Sequence, residues 1–289
     1  MSVLIIGCGY VGQRAAQAWL SEGRSVSALT RSAENAARLA ALGITPIIGD
    51  VTRPASLTDL PAADLVLYAV GFDRSAAHSQ RAVYVDGLKN VLAEIHTRTG
   101  HWIYLSSTSV YGQTAGEWVD ESSPCEPLRE NGQVCLDAER VIESQLGGNS
   151  TTEFQILRLA GISGPNRLLA RVAALREGEP LAGNPDGYLN LIYVEDIVRT
   201  ISACASRGVT GQTYLVSDDR PMTRRAYYET LAQLIGAAPP QFGGGGSGRH
   251  GAESLNKRCK NRRLREELAV ELAYPTIETG LPAALVELQ

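Results

Sequence analysis

Three glycines near the start of the chain have a spacing suited to phosphate chemistry. Gly7-Cys8-Gly9-Tyr10-Val11-Gly12 follows an apolar run over residues 3–6 and precedes a helix-like stretch over 13–21. In a strand-turn-helix context this pattern is a dinucleotide-binding fingerprint. Gly7 permits the tight turn, Gly9 lets the backbone approach a pyrophosphate, and Gly12 lets helix and strand pack closely. The helix start, with Tyr10 and Val11, offers unpaired N–H groups to the phosphates. A second strand over residues 25–30 leads into Arg31 and Ser32. An NAD enzyme usually carries an acidic residue there for the ribose 2′-hydroxyl. A guanidinium instead meets a phosphate bidentately, and no carboxylate adjoins it in the sequence. Arg31 and Ser32 therefore predict NADP(H), with NAD(H) the alternative. A solvated loop arginine is the bland reading.

These residues need a scaffold, and the rest of the chain supplies the pattern for one. Apolar runs at 3–6, 26–30, 45–48, 65–70, 102–105 and 154–159 alternate with helical periodicity at 13–21, 33–42, 79–97 and 136–146. That rhythm predicts βαβ units, a parallel sheet, and ligands at the carboxyl ends of its strands. Gly23, Gly43, Gly100 and Gly147 stand where helix C-caps are expected. After Gly164-Pro165 the rhythm changes, so a smaller lobe is expected. The predicted division is a dinucleotide-binding domain over 1–160, completed by 188–217, and a substrate lobe over 161–187 and 218–289.

With 289 residues the chain is long enough for such a core. Its net charge of −4, without a long basic block, argues against nucleic acid or an anionic membrane as partner. Five cysteines at 8, 125, 135, 204 and 259 form no CxxC or metal-ligand spacing. The expectation is a reduced, cytoplasmic, soluble and unprocessed chain without a metal. No apolar stretch approaches membrane-span length. The short basic cluster from Lys257 to Arg263 reads either as a solvated turn or as a holder of a substrate phosphate. The segment 239–248, rich in proline and glycine, reads as a loop, either passive or a substrate-side lid.

Further motifs follow the strands: Gly49-Asp50-Val51, Ala69-Val70-Gly71, Ser106-Ser107-Thr108-Ser109-Val110-Tyr111-Gly112, Asp120-Glu121, Arg158 to Pro165, and Tyr193-Val194-Glu195-Asp196. Together with the glycine fingerprint, they resemble the extended short-chain dehydrogenase/reductases, the group of nucleotide-sugar epimerases and dehydratases. The resemblance spans nearly the whole chain. It implies a Rossmann-type, doubly wound α/β fold with a smaller C-terminal substrate lobe. It also implies that Asp50 and Val51 border the adenine, that Ala69, Val70 and Gly71 line the nicotinamide half of the groove, and that Ser107 holds the catalytic serine position. The helix over 79–97 would either join a homodimer interface or merely cover the sheet. The family mostly uses GxxGxxG, whereas this chain has the tighter form of its atypical branches.

The departure lies in the catalytic pair. The family places a Tyr and a Lys at i and i+4 on the helix after the fifth strand, the lysine lowering the tyrosine pKa. Alignment through Pro124 and Pro127 puts Asn131 and Cys135 there. No register restores the pair, because no tyrosine lies between Tyr111 and Tyr188 and no lysine between Lys89 and Lys257. Cys135 reads as a buried small residue. Tyr111 stands as a candidate phenol near Ser107, with packing as its other reading. Two functions follow. One is an NADP-dependent oxidoreductase or epimerase/dehydratase-like enzyme acting on a carbonyl/alcohol of a small metabolite or nucleotide sugar. The alternative is a catalytically impaired NADP(H)-binding sensor or scaffold.

Overall fold

The structure, a computed structural model, describes residues 1–73, 77–148, 151–167, 169–243 and 255–286. In chain order its elements are β1 (Ser2–Ile6), α1 (Tyr10–Ser21), β2 (Ser25–Thr30), α2 (Ala33–Ala41), β3 (Thr45–Ile48), β4 (Ala63–Tyr68), α3 (Gly87–Ile95), β5 (Thr99–Ser107), β6 (Glu117–Val119), α4 (Glu130–Leu146), β7 (Glu153–Leu159), β8 (Gly161–Ser163), α5 (Leu169–Arg176), β9 (Tyr188–Leu189), β10 (Leu191–Tyr193), α6 (Val194–Arg207), β11 (Gln212–Val216), β12 (Met222–Thr223), α7 (Arg224–Ile235), β13 (Lys257–Cys259), α8 (Arg262–Glu266) and α9 (Ile277–Leu285).

The first contact unit comprises Met1–Val110, Pro127–Arg158 and Val198–Tyr214. It is built on a seven-stranded sheet in the order β11-β7-β5-β4-β1-β2-β3. The pairs β1·β2, β1·β4, β2·β3 and β4·β5 are all parallel. Strands β1 and β4 lie in the middle and are covered on both faces, which is why each reads as a nearly unbroken apolar run rather than an alternation. Strand β3 forms the edge beside β2, where Pro46 costs the ladder no needed donor. Strand order reverses between β1 and β4, so a crevice is expected at their carboxyl ends.

Two predicted helix boundaries move. Gly100 is no cap but lies inside β5, because α3 ends at Ile95 and passes through a 3₁₀ turn, His96–Arg98, straight into the strand. Helix α4 begins at Glu130, six residues before the apolar periodicity starts, since its polar first turn carries no apolar signal. The long helix expected over 79–97 is also irregular: a π-helical turn, Ala82–Asp86, precedes α3.

The second unit comprises Tyr111–Glu126, Leu159–Ile197 and Leu215–Gln289. This division departs from the expected one by grouping residues 111–126, 159–160, 188–197 and 215–217 with the smaller part. The reason for 111–126 is strand pairing: β6 pairs in parallel with β13, 140 residues later in the register Glu117 to Lys257. The buried Lys257 Nζ donates to the Tyr111 carbonyl at 3.0 Å. The Arg258 guanidinium stands 4.8 Å from the Trp118 ring centroid and 5.0 Å from that of Tyr188, and it donates to the Gly116 carbonyl at 2.7 Å. The basic cluster is thus in part a structural strand rather than a solvated turn, because stacking and hydrogen bonds occupy its first two cations. Residues 244–248 of the expected loop lie outside the described ones.

One buried ionic cluster ties the first unit together. Arg158 on β7 meets Glu139 on α4 through Nε at 3.1 Å from Oε1 and through Nη2 at 2.7 Å from Oε2. The Ser106 hydroxyl on β5 donates to Glu139 Oε1 at 2.5 Å. Glu139 is 1% exposed and Arg158 is 6%, so removing either charge strands the other in a low-dielectric interior. Glu139→Gln is expected to cost about 3–5 kcal/mol in urea-midpoint measurements; a loss below about 1 kcal/mol would mean that water reaches the pair.

Asp218 of the second unit has a different problem. Burial pushes its carboxyl from an ordinary 3.8 up to about 8, although the Arg220 backbone N–H opposes the shift. Its Oδ1 has no hydrogen-bond partner among the described residues. The folded state therefore retains a proton that the unfolded chain releases, and stability falls as pH rises from about 4 to about 8. Asp218→Asn removes this penalty. Its gain in melting temperature should be near zero at pH 4 and grow through that window, and a gain independent of pH would show the carboxyl to be ionised in the fold.

Candidate functional site

At the carboxyl ends of β1 to β4 the first unit encloses a cavity of about 280 Å³. Gly7 makes it possible. Its φ of +92° belongs to the glycine region, and a Cβ there would lie 2.6 Å from the backbone of Ala69 and Val70. Gly12 stands equally close, its would-be Cβ 2.7 Å from the Gly7 carbonyl, whereas nothing lies within 4 Å of a Cβ at Gly9. The turn is thus closed on the side of the sheet and open where a pyrophosphate would approach the start of α1. Burial pushes the Cys8 thiol in this turn up to about 11, against a weaker pull from Arg38, so it stays neutral and sets no charge against an anion.

Gly7, Gly9, Arg31, Asp50, Val51, Val70 and Gly71 line this cavity. Tyr10, Val11, Gly12, Ser32 and Ala69 do not. Val11 and Gly12 are buried in the packing of α1, and Tyr10 supports the Arg14 guanidinium 4.1 Å above its ring. The Ser32 hydroxyl oxygen accepts from the Asn35 N–H at 3.2 Å, capping α2. Asn35 and Arg38, which the sequence analysis did not single out, also line the cavity. Their i, i+3 spacing on α2 after the Ser32 cap was the available signal.

Arg31 is not free of carboxylates, as its sequence neighbours had suggested. Its Nη2 lies 3.3 Å from Asp73 Oδ2, a partner 42 residues away that only the β2 and β4 chain ends bring near. Both side chains are about half exposed, so the pair is weak. Burial pushes the Asp50 carboxyl up, but the backbone and hydroxyl hydrogen bonds of Thr52, with Arg31 and His78 nearby, outweigh it and hold the carboxyl below its ordinary range. Both Thr52 bonds measure 2.8 Å.

Val70 is shared with a second cavity of about 150 Å³. Here the structure brings together Ser107, Asn131 and Cys135, the three positions that the resemblance had aligned with serine, tyrosine and lysine. Asn131 and Cys135 share one face of α4 at i, i+4. Helix α4 can approach because Gly132 has no side chain: a Cβ there would lie 2.3 Å from the Ser109 carbonyl. Ser107 Oγ accepts from the Ser109 N–H at 3.1 Å, which leaves its own proton available to a ligand. Burial raises the Cys135 thiol, with the nearby Ser109 hydroxyl opposing, so it is neither an acid nor a nucleophile near neutral pH. Tyr111 is fully buried in the second unit and does not line this cavity. Instead the cavity is lined by Tyr68, Tyr84, Tyr104 and Gln80. Tyr84 was missed because it comes from the helix after β4 and not from the segment where the usual tyrosine stands.

An open glycine turn, a helix N-terminus and two arginines lining a cavity that shares Val70 with a polar pocket fit a nicotinamide dinucleotide. The glycine turn and α1 would hold its pyrophosphate, and the pocket past Val70 would take its nicotinamide. Comparison with known proteins agrees. The chain is 28% identical over 282 residues to the protein YeeZ of Escherichia coli (strain K12), covering 94% of this chain and 96% of that one. It is 25% identical over 240 residues to the 4-hydroxy-2-methyl-3-oxo-4-farnesyl-3,4-dihydroquinoline-1-oxide ketoreductase of Stigmatella aurantiaca, covering 80% of this chain and 72% of that enzyme. A solved structure of a functionally unknown conserved protein from Silicibacter pomeroyi DSS superposes with a TM-score of 0.81 at 26% identity, covering 98% and 97% of the two chains. Residues 3–217 match the family model described as the NAD dependent epimerase/dehydratase family. With three quarters of its length in that match and the glycine turn, switch point and serine strand end in place, this chain belongs to the NAD dependent epimerase/dehydratase family.

Proposed function

We propose that this chain is an NADP(H)-dependent oxidoreductase that acts on the carbonyl/alcohol pair of a small metabolite or nucleotide sugar, and that it runs as a carbonyl reductase. The observation that carries the reading is that two cavities share Val70 in their lining. One is flanked by Arg31 and Arg38, and the other is lined by neutral hydrogen-bonding groups.

Arg31, Arg38 and Asn35 are the groups suited to a 2′-phosphate, assisted by the N-terminus of α2. The exposed Arg31–Asp73 pair is weak enough for a phosphate to displace the carboxylate. Asp50 and Val51 would border the adenine, and Val70 and Gly71 the nicotinamide half. When bound, the cofactor supplies the hydride. Ser107 then orients the substrate oxygen with its free hydroxyl proton, and the Asn131 amide offers a further donor on the same wall.

The usual Tyr and Lys positions carry Asn131 and a neutral Cys135, so they supply neither acid nor base. The direction, reduction, is taken from the 25% identical ketoreductase. The sensor alternative is weaker, since cofactor binding alone does not call for a polar pocket at the end of the groove.

Calorimetric titration of the cofactor-free chain with NADPH and with NADH tests the cofactor. Arg31→Ala should weaken NADPH binding by at least about tenfold, the value of one lost charge-assisted contact, and leave NADH binding within about twofold. Equal losses would remove the 2′-phosphate assignment. For the chemistry, Ser107→Ala should lower carbonyl turnover about 10²-fold with little change in NADPH affinity, as for loss of one donor to a developing oxyanion. An unchanged turnover would take Ser107 out of the site.

A further inference from the structure

We propose that Tyr84 is the proton donor of this site, replacing the missing tyrosine from a different element on another wall of the same pocket. The inference rests on the carbonyl-reductase reading above and deepens it.

Tyr84 stands in the π-helical turn Ala82–Asp86. Such turns are rare, and they occur frequently at functional sites because the extra residue re-aims one side chain. Here the half-buried phenol lines the same cavity as Ser107, Asn131 and Cys135. The turn is held against α4 by Arg81, whose Nη1 meets Asp137 Oδ2 at 2.7 Å. Position is also set at the hydroxyl itself. Tyr84 Oη accepts the Phe72 backbone N–H at 3.1 Å. An oxygen that accepts a fixed backbone donor has its own proton to give, and a substrate oxygen in the pocket would accept it. Tyr68 and Tyr104 line the pocket too, but both are almost fully buried in the core cluster.

The charge environment suits an acid rather than a base. Burial raises the Tyr84 phenol above its ordinary value, and the nearby Cys135 adds to this, while the Phe72 N–H and Gln80 bonds oppose it. Tyr68 and Tyr104, on β4 and β5, are the other titratable groups facing it, and both are neutral. The phenol therefore keeps its proton at neutral pH. In the step, the substrate carbonyl carbon accepts a hydride from the reduced nicotinamide, and its oxygen takes the electron pair of the C=O π bond. The phenolic O–H bond of Tyr84 breaks and its proton forms the new O–H of the alcohol. The phenolate is reprotonated from water, which leaves as hydroxide, so the products are the alcohol, the oxidised cofactor and hydroxide, equivalent to consuming one proton from solution.

The test uses the full-length chain with 3-fluorotyrosine incorporated at position 84, which keeps the hydroxyl, makes it more acidic and provides a fluorine resonance. With NADP⁺ as probe, the resonance should shift on binding and its titration midpoint should fall by about one unit, because a cationic nicotinamide ring favours the phenolate. In reduction of a panel of aldehydes and ketones by NADPH, the same variant should move the alkaline limb of the rate to lower pH. Tyr84→Phe should lower turnover about 10²- to 10⁴-fold with NADPH affinity unchanged within threefold. If calorimetry shows NADP⁺ bound while the fluorine resonance and its midpoint stay fixed, the assignment is overturned. Reduction at an unchanged rate by Tyr84→Phe would overturn it equally. Failure of the wild-type chain to bind NADP⁺ or reduce any carbonyl would instead overturn the reductase reading, and the inference with it.

Discussion

The buried carboxylate of Glu139 is the point on which the first unit turns. A charge that is 1% exposed survives only if each lone pair is engaged, and Glu139 spends its oxygens on a guanidinium from β7 and a hydroxyl from β5. The demand is mutual, so α4 and two neighbouring strands hold one another in a single register. Everything at the second cavity inherits that geometry. Ser107 follows Ser106 in β5, and Cys135 and Asn131 lie one and two turns upstream of Glu139 on the same helix. Gly132 then lets the helix start close onto the Ser109 carbonyl. Apolar packing alone would allow a helix to slide or rotate by a small step at modest cost, whereas an ion cluster with three partners does not.

A second constraint acts at the cofactor end. Strands β1 and β4 run so close beyond Ile6 that Gly7 touches the Ala69 and Val70 backbone, and the chain must turn there with a positive φ. The same contact places the α1 N-terminus beside the switch point of the sheet. Polarity differs between the two cavities: arginines and the low-lying Asp50 carboxyl line one, neutral serines, an amide and phenols the other.

The missing tyrosine and lysine take on a different meaning in this setting. Their positions on α4 still face the pocket but carry an amide and a thiol whose burial keeps it neutral. Without a lysine ammonium, burial outweighs the hydrogen bond that pulls Tyr84 the other way, and the phenols that line the pocket are all shifted toward the protonated form.

Much of this was legible in the residues. The glycine turn, the alternation of apolar runs and helical stretches, and the paired positions Asn131 and Cys135 are local patterns, and local patterns reflect backbone sterics and side-chain periodicity that act over a few residues. Gly100 misled because a glycine after a helical run looks like a cap whether it ends the helix or enters a strand. The Arg31–Asp73 pair, the Lys257 contact with the Tyr111 carbonyl and the pairing of β6 with β13 could not be read, since each joins residues 42 to 146 positions apart. Tyr84 could not be read for a subtler reason: a single π-helical step rotates its side chain relative to an ordinary helix, and nothing in the identities of its neighbours records that step. The fold class, the phosphate turn and the absence of the usual catalytic pair are written in local residue order, because they depend on which residues stand near one another in the chain. Which phenols line the pocket and which charges meet came from packing, because they depend on burial and on contacts between distant parts of the chain.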